Sequence, residues 1–588
     1  MAGVVLGAGA IGASSAEAAT FQVTNLNDTG AGSLRQAIDD SNAAAGADTI
    51  TFQSGLSGTI NVASEMHAND DLTIDGPGPS VVTLDGGDST SILRVATGYT
   101  TDLSVSGLTL TNGHTTYGNG GAIYAKGSLT LDDVVVSSSY AKSSGGGAWL
   151  EGNDLIVTDS RFSGNEAGYT GGGFGADGSR NAGPGPITIT GTTVTGNESS
   201  YSGGGIALYD SYHQVSIDTS TITNNEITST STTSQRDGGG IWFEDTYSGA
   251  TTVSNSTVSG NSGARGGGGV SFGENFYDTA NVVNSTVTGN EAEYGGGIHF
   301  NDDYNAQFEL DNSTVTGNTA ADGGGGIWRG YAVSTYSHPT SALDVSSSVV
   351  SANSSTTGGN DFGVSPDATG DLTLGNVLAG DVSGVTYTAD PAGSNIIGAD
   401  PKLGPLANNG GPTQTMLPDA ASPLVNAGLA NGLTKDQRGE ARTIDYPGVP
   451  NSHGSDGTDI GAAELGIPAP PDNSVTDPYL EIASPQEQGK KKVKVKVVAG
   501  AGEDVTGQVW GKIFVGKGNA VMKTAKVPVA SGQRVTITVK PKKNKATKRI
   551  LKALANGRKV TAKLKGKLAD AAGNEYQKDL EAELEPKK

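Results

Sequence analysis

Aromatic, histidine and carboxylate side chains recur in this chain at fixed distances after runs of glycine. Two positions after the last glycine of successive runs stand Trp149, Gly175, Ala207, Trp242, Ser271, His299 and Trp328. Four to six positions after those runs stand Glu151, Asp177, Asp210, Glu244, Asp245, Glu274, Asp302 and Asp303. Flat aromatic faces stack on sugar rings, and carboxylates either coordinate Ca²⁺ or act as an acid–base pair on a glycosidic bond.

If each run begins a strand, strand alternation directs the aromatic row outward, with the carboxylates along its border. We therefore predict a face that binds an extended polysaccharide, with Ca²⁺ as the one candidate cofactor. The predicted ligand-binding residues are Trp149, Trp242, His299, Trp328, Asp210, Glu244, Asp245 and Asp302. The alternative interpretation is that outward tryptophans and aspartates on a flat sheet serve packing and solubility only.

Catalysis is less well supported by the same residues, and we assign no catalytic residue. The histidines are scattered along the chain and none pairs with another at metal-ligand spacing. Elimination chemistry needs an Arg or Lys base near carboxylates, and only Arg161, Arg265 and Arg329 lie near the repeated motifs. A carbohydrate-active enzyme, either a polysaccharide lyase or a glycoside hydrolase, is kept as the alternative to a binding protein.

The element that positions these rows is a repeat of about 30 residues. The glycine runs end at Gly147, Gly173, Gly205, Gly240, Gly269, Gly297 and Gly326. Between them recurs an apolar residue followed three positions later by asparagine, as in Phe162–Asn165 and Val287–Asn290. Leucine-rich and helical repeats lack this pattern, and a propeller blade is longer, so the period favours a right-handed parallel β-helix over residues 49–404.

Stacking of one repeat on the next explains both halves of the motif. Coils stack about 4.8 Å apart, so an asparagine at one turn lies over its counterpart and their amides can hydrogen-bond in a column. We expect Asn261, Asn290 and Asn318 in one such column, and a similar role for the Asn-Ser-Thr triplets at Asn255, Asn284 and Asn312. Glycine permits the positive φ and the close backbone approach that the other turn requires.

Three sets of residues resemble known families. Gly120–Ile123 and Phe162–Asn165 together resemble the repeats of chlamydial polymorphic outer-membrane proteins. Residues 21–52, through Ser33-Leu34-Arg35 and Ala37, are similar to the CSLREA domain of secreted β-helix proteins. Residues 404–428, 436–442 and 459–464 resemble the choice-of-anchor Q domain. These resemblances imply a secreted, surface-displayed β-helix and imply no reaction.

The amino-terminal residues predict export. Residues 1–19 contain a short apolar run and the small-x-small triplet Ala16–Ala18, which is typical of a signal peptide. Residues 20–48 are interpreted as an N-terminal cap, with a helix that begins at Ser33 and a capping box to Gln36. No apolar run elsewhere reaches the ~18 residues of a transmembrane helix. We expect a secreted, cell-surface protein.

Charge separates the carboxyl-terminal part from the rest. The whole chain has a net charge of −23 and no cysteine, yet residues 474–588 carry 25 Lys and Arg against 11 Asp and Glu. Residues 405–466 form the anchor-like segment and residues 467–473 a linker. Alternating Val and Lys from 474 onward predicts an immunoglobulin-like β-sandwich, with a short helix over 546–556. The segment 570–576 resembles a turn of bacterial immunoglobulin-like surface modules.

The lysine face of this last domain has three interpretations: a site for anionic cell-wall polymer, a solvated strand face, or a surface that docks on the acidic rod. Nucleic-acid binding is disfavoured because aromatic residues do not interleave the lysines. Altogether the sequence predicts an all-β, monomeric cell-surface protein with a structural or adhesive role and a polysaccharide or cell-wall polymer as partner.

Overall fold

The structure, a computed structural model, describes most of the chain. It describes residues 18–587 except 96–97, 179–184, 210–213, 231–235, 245–248, 274–278, 302–305, 331–341, 367–369, 453, 467–474, 476, 485, 490 and 572. Nearly all of the predicted signal-peptide-like segment 1–19, and the whole linker 467–473, lie outside the described residues. The chain divides into two compact units, Met1–Ile467 and Pro468–Lys588, which we name the solenoid unit and the C-terminal unit.

The solenoid unit is a stack of coils whose strands pair in parallel, so the predicted β-helix is confirmed. Each coil contributes strands to four sheets, which we number in the order in which a coil meets them after its glycine run. Sheets 1 and 2 are joined through the long strands Ile123–Asp132 and Ala148–Thr158, each of which belongs to both. Among the described residues, strand pairing continues from one coil to the next without a break in direction, as a solenoid requires.

The strands of each sheet have these bounds. Besides the two long strands, sheet 1 consists of Met66–His67, Leu93–Val95, Phe174–Asp177, Ile206–Tyr209, Ile241–Glu244, Val270–Phe272, Ile298–Phe300, Ile327–Arg329 and Phe362–Val364. Sheet 2 adds Thr20–Val23, Asp48–Phe52, Leu72–Asp75, Asp102–Ser106, Ile187–Thr190, Val215–Asp218, Thr251–Ser254, Thr279–Val283, Gln307–Asp311, Ala342–Ser346, Leu372–Gly375 and Thr388–Ala389.

Sheets 3 and 4 are built from shorter strands. Sheet 3 consists of Gly58–Asn61, Val82–Asp85, Thr109–Thr111, Val135–Ser137, Arg161–Ser163, Thr193–Thr195, Thr221–Thr223, Thr257–Ser259, Thr286–Thr288, Thr314–Thr316, Val349–Ser351, Leu378–Ala379 and Ile396–Ile397. Sheet 4 has two parts, which the isolated bridge between Glu226 and Ser262 connects. The first part consists of His114–Thr115, Tyr140–Ala141, Glu166–Ala167, Glu198–Ser199 and Glu226–Ile227, and the second of Ala264–Gly266, Glu291–Tyr294, Thr319–Gly323 and Ser354–Ser355.

The predicted asparagine column is confirmed. Each Nδ2 donates to the Oδ1 of the asparagine one coil further along, at 2.9 Å, from Asn165 through Asn197, Asn225, Asn261, Asn290 and Asn318 to Asn353. The column ends on Asp361, whose Oδ1 accepts from Asn353 at 2.8 Å. Each amide is also bonded to a backbone carbonyl of the preceding coil. Buried amides with all their partners stabilise the turn that carries them.

A second turn carries the Asn-Ser-Thr triplets. Asn255, Asn284 and Asn312 have φ of 49°, 53° and 46°, the left-handed conformation that asparagine tolerates. Asn284 donates to Asn255 at 2.6 Å, whereas Asn312 bonds to the carbonyl of Leu429. The triplets therefore form the expected hydrogen-bonded column only in part. Some of their asparagine side chains bond instead to the segment that follows the coils.

That following segment, residues 405–466, has little regular structure and packs on the outside of sheet 3. Thr286 Oγ1 donates to Gln437 Oε1 at 2.6 Å, and the Ala462 amide donates to Thr314 Oγ1 at 3.1 Å. Within the segment lies a buried ion pair, in which Arg442 Nη1 and Glu464 Oε1 are 3.2 Å apart. These contacts make the segment part of the solenoid unit.

The amino-terminal end has the predicted helix, Leu34–Ala43, which buries Leu34, Ala37 and Ile38. Ser33 caps it through a hydrogen bond from the Gln36 amide to Oγ at 3.2 Å. The reciprocal half of the expected capping box is wrong, because the Gln36 side chain donates to Asp40 instead. No described helix is long and apolar enough to cross a membrane.

The C-terminal unit consists of antiparallel sheets that fit the predicted β-sandwich. One sheet contains Tyr479–Ile482, Val495–Gly500 and Arg534–Val539. The other contains Val505–Val515, Gly518–Val521, Ala525–Val529, Val560–Ala569 and Glu575–Glu583, while Glu487–Gln488 pairs with Glu585–Pro586. The predicted short helix is present as Asn544–Ala555.

Candidate functional site

The first predicted row is aligned as expected. Strand register in sheet 1 places Tyr124, Trp149, Gly175, Ala207, Trp242, Ser271, His299, Trp328 and Gly363 at one position of successive coils. We name this set the tryptophan row. Its neighbours along each strand, such as Ile123 and Ala125, belong to the internal core, so the row points away from that core.

The solvent exposure expected of this row is not found, and ligand binding by its residues stays a prediction. Trp149 is fully buried, and Trp242, His299 and Trp328 are 6%, 1% and 9% exposed. The indole rings lie against small residues and other aromatic rings, which form a second packed layer outside the sheet. A Cβ on Gly175 would come within 2.5 Å of the Trp149 ring. Such rings stabilise the coils by packing between neighbouring strands.

Tyrosines complete this second layer. The Tyr209 ring lies 5.5 Å from Trp149 and 5.9 Å from Trp242, centroid to centroid. The Tyr294 ring lies 5.1 Å from Trp328, whose Nε1 donates to the Gly330 carbonyl at 3.0 Å. The packing explains why small residues are interspersed along the row: each indole has a neighbour without a bulky side chain on the following coil.

His299 lies in a buried polar cluster with Ser271 and Asp237. Ser271 Oγ is 3.3 Å from Nδ1, and Nε2 is 3.0 Å from the Gly330 carbonyl. A Cβ on Gly266 would meet both Nδ1 and Asp237 Oδ1, so the serine and the aspartate share the Nδ1 side of the ring. A nucleophilic triad needs serine and aspartate on opposite ring nitrogens, so this cluster is not one.

Burial sets the protonation of the same cluster. It lowers the pKa of His299 and raises the pKa of Asp237, while each partner's charge opposes these changes. With Nε2–H donating to Gly330, a neutral imidazole accepts from Ser271 at Nδ1. The cluster is thus satisfied internally, and its groups are almost inaccessible to solvent.

The predicted carboxylates do not form a described site. Asp210, Asp245 and Asp302 lie outside the described residues, and Glu244 is half-buried with other contacts. Glu151 accepts from the Tyr124 hydroxyl at 2.8 Å, which together with burial raises the pKa of Tyr124. Within the described ranges, no three His, Asp or Glu side chains gather as metal ligands.

A different aromatic row is exposed, at the turn that precedes the glycine runs. Tyr117 is 88% and Tyr169 is 50% exposed, and Tyr201 is half-buried. The Tyr169 and Tyr201 rings are 4.7 Å apart, and the Tyr201 amide donates to the Tyr169 carbonyl at 2.9 Å. The same backbone column continues through Ser143 to Gly118, so Tyr169 and Tyr201 occupy equivalent places on neighbouring coils, and Tyr117 is the residue before the equivalent position, two coils before Tyr169.

Sheet 4 lies beside this row. His114 and Tyr140 pair in register, with their rings stacked 4.9 Å apart. The next three coils place Glu166, Glu198 and Glu226 at the same position, all exposed and without an ion pair among the described residues. We name the set His114, Tyr117, Tyr140, Tyr169, Tyr201, Glu166, Glu198 and Glu226 the tyrosine face.

Packing does not account for the glutamates of this face. Like charges directly opposite each other on neighbouring strands destabilise a sheet, and burial offers these exposed side chains no compensation. Sequence reasoning missed the face because it counted only positions after each glycine run. The available signal was a tyrosine two or three residues before the run, in YGNGG, YTGGG and YSGGG.

Comparison of the chain with protein-family models finds no match, and no curated protein matches it. The resemblances to CSLREA, choice-of-anchor Q and polymorphic outer-membrane repeats therefore stay predictions. The parallel β-solenoid is the part of those expectations that the structure supports.

Proposed function

We propose that this is an exported cell-surface protein with a structural or adhesive role, whose solenoid binds extended polysaccharide along the tyrosine face. The observation that carries the proposal is the aligned ring pair of Tyr169 and Tyr201, with the exposed Tyr117 beside the same column of turn residues two coils before Tyr169. Aromatic rings held at fixed spacing offer flat surfaces for the apolar faces of sugar rings. Export is proposed on the signal-like residues 1–19.

The chemistry of the face favours a neutral glycan. Glu166, Glu198 and Glu226 are carboxylates in line, which accept hydrogen bonds from sugar hydroxyls and repel uronic or sulfated sugars. Equivalent residues recur at about 4.8 Å, close to the length of one pyranose unit in an extended chain. A repeated surface therefore suits a repeated ligand.

Rigidity supports the same proposal. The asparagine column and the buried tryptophan row hold successive coils in one register. The aromatic rings are attached to these rigid coils, so binding a polymer costs little conformational entropy of the protein. Weak contacts can then add up along the polymer.

A glycoside hydrolase is the second candidate, and one observation favours it. Glu166 and Glu198 are directly paired, and carboxyl groups about 5 Å apart are typical of retaining enzymes. A general acid, however, needs its proton held by an apolar environment, and both side chains are exposed. Binding without cleavage is the better supported activity.

The test uses the full chain in affinity electrophoresis through neutral polysaccharides such as xylan, β-glucan and dextran, with reducing ends measured in parallel. Replacing Tyr117, Tyr169 and Tyr201 together by Ala should weaken retardation by at least about tenfold. The matched triple Phe variant keeps the rings and should behave as the unmodified chain. Equal retardation of the Ala variant, or no retardation by any neutral glycan, would refute the proposal.

A further inference from the structure

The lysine-rich face predicted for the C-terminal unit divides into two parts with different partners. On strand Val560–Ala569 and just before it, lysines face acidic residues of strand Glu575–Glu583 across the antiparallel pair. The ion pairs are Lys559–Glu583 at 3.2 Å, Lys563–Glu581 at 3.0 Å, Lys565–Asp579 at 3.6 Å and Lys567–Glu575. This part of the face is neutralised within the unit.

The other part surrounds helix Asn544–Ala555 and has no such neutralisation. The exposed cations there are Lys542, Lys543, Lys545, Lys548, Arg549 and Lys552. None of them forms an ion pair with a described residue, and Arg549 Nη2 donates to the Asn519 carbonyl at 2.6 Å. Six cations without a counter-charge attract an anionic partner.

These cations rim a groove between the helix and strand Gly518–Val521. The groove has a volume of about 740 Å³, and its floor includes Ala520, Val521 and Ala546. Val521 is 44% exposed, so the groove offers apolar surface next to its cations. We name this concavity the basic groove. Its occupant must combine negative charge with apolar surface.

The spacing of the lysines along the helix indicates which kind of anionic ligand fits the basic groove. Along the helix, Lys545, Lys548 and Lys552 are about 4.5 Å and 6 Å apart at a rise of 1.5 Å per residue. One anionic group per sugar in an extended chain recurs at nearly this distance. The C–H face of each ring supplies the apolar surface that Val521 and Ala546 can cover. No aromatic side chain lines the groove in the described structure, so base stacking has no platform.

We propose that the basic groove binds a linear polyuronate, with carboxylates on the lysines and sugar rings on the apolar floor. This site is separate from the tyrosine face and does not depend on it. The solenoid face is acidic and the groove is basic, so the two sites select glycans of different charge. A chain with both sites can hold two kinds of polymer at once.

The experiment measures retardation of the full chain by polygalacturonate at low and at high ionic strength. The variant K545Q/K548Q/K552Q removes three unpaired charges, and K559Q/K563Q/K565Q removes three paired charges from the same unit. We expect the first to weaken binding by about tenfold or more and the second by less than about twofold. Thermal melting followed by circular dichroism shows that both variants stay folded.

Four results would overturn the proposal: equal losses in both variants, no binding of polygalacturonate at low ionic strength, binding that survives high ionic strength unchanged, or tighter binding of poly(glycerol phosphate), DNA or anionic vesicles. Failure here is distinct from failure of the tyrosine face. The triple tyrosine variant should bind polygalacturonate normally, and K545Q/K548Q/K552Q should bind neutral glycans normally.

Discussion

The solenoid has two rows of aromatic side chains that point away from its core, and the two rows differ in their exposure to solvent. In the tryptophan row, Trp149 is fully buried although it points away from the core. In the tyrosine face, Tyr117 and Tyr169 are among the most exposed large side chains of the described chain. The comparison shows that the outward direction of a strand residue does not make it accessible, because side chains of neighbouring coils can form a further layer over it.

The neighbours of each row explain the difference. The tryptophan row includes the small residues Gly175, Ala207, Ser271 and Gly363, and each of its three tryptophans has a small residue beside it on the next coil. The tyrosine row sits at a turn, where the rings of Tyr169 and Tyr201 lie side by side and Tyr169 stays half exposed. One row thus stabilises the stack, and the other is exposed, as the proposed ligand site requires.

The largest expected effect is the loss of a buried indole. Trp149→Ala should lower the free energy of unfolding of the solenoid unit by about 3–5 kcal/mol, because it removes a large buried side chain and leaves a cavity. Chemical denaturation monitored by circular dichroism measures it. Tyr169→Ala should cost less than about 1 kcal/mol by the same measurement, since its ring is half exposed.

Trp149→Phe is the control for shape. The Trp149 Nε1 has no hydrogen-bond partner in the described structure, so its loss carries no penalty and Phe should recover part of the stability. Equal costs for Trp149→Ala and Tyr169→Ala would remove the distinction between the rows.

A second effect comes from filling the space that an indole needs. Gly175→Ala would place a Cβ 2.4 Å from the Ala207 carbonyl oxygen and 2.5 Å from the Trp149 ring, and should cost about 2–3 kcal/mol. Gly164→Ala is the matched control, because its Cβ would meet nothing within 4 Å and only its φ of 62° is unfavourable. That variant should cost about 1 kcal/mol. Equal melting temperatures would argue against tight packing of the row.

A structural feature could be predicted from the sequence where the residues that contact each other recur in every coil. The asparagine column followed from the sequence because every coil places the same residue over itself, so one period defines all partners. The burial of the tryptophan row could not be predicted in this way, because it depends on which residue of the neighbouring coil lies beside each indole. The pairing of Lys563 with Glu581 likewise required the antiparallel register of two distant segments. The buried Arg442–Glu464 pair lies in a segment with neither period nor alternation.

A third, smaller effect contrasts two carboxylates that stand among like charges. Asp311 is half-buried beside Glu309 and Asp344, and burial, followed by their repulsion, raises its pKa from 3.8 to about 6. A raised folded-state pKa means that its favourable contribution is present below pH about 4 and is lost as the pH rises through about 6. Asp311→Asn should therefore stabilise the solenoid unit by about 1–3 kcal/mol at neutral pH and by almost nothing near pH 3.

The free energy of unfolding of both proteins, measured between pH 3 and neutral pH, shows whether the gain from Asp311→Asn grows as the pH rises. Glu198→Gln on the tyrosine face is the matched variant, since it also relieves like charges but at an exposed position. It should change stability by only a few tenths of a kcal/mol. An Asp311→Asn gain that is the same at both ends of the pH range would contradict the assignment.

The smallest effect is the most informative about function, because it separates binding from folding at a single ring. Tyr169→Ala should weaken retardation by a neutral glycan about fivefold, or about 1 kcal/mol, because one stacking platform of several is lost. Tyr169→Phe keeps the platform and should bind as the unmodified chain, which isolates the ring face from the hydroxyl. Trp242→Phe, in the buried row, should leave binding unchanged while lowering the melting temperature. If Trp242→Phe weakens glycan binding more than Tyr169→Ala does, the ligand lies along the tryptophan row after all, and the two rows exchange roles.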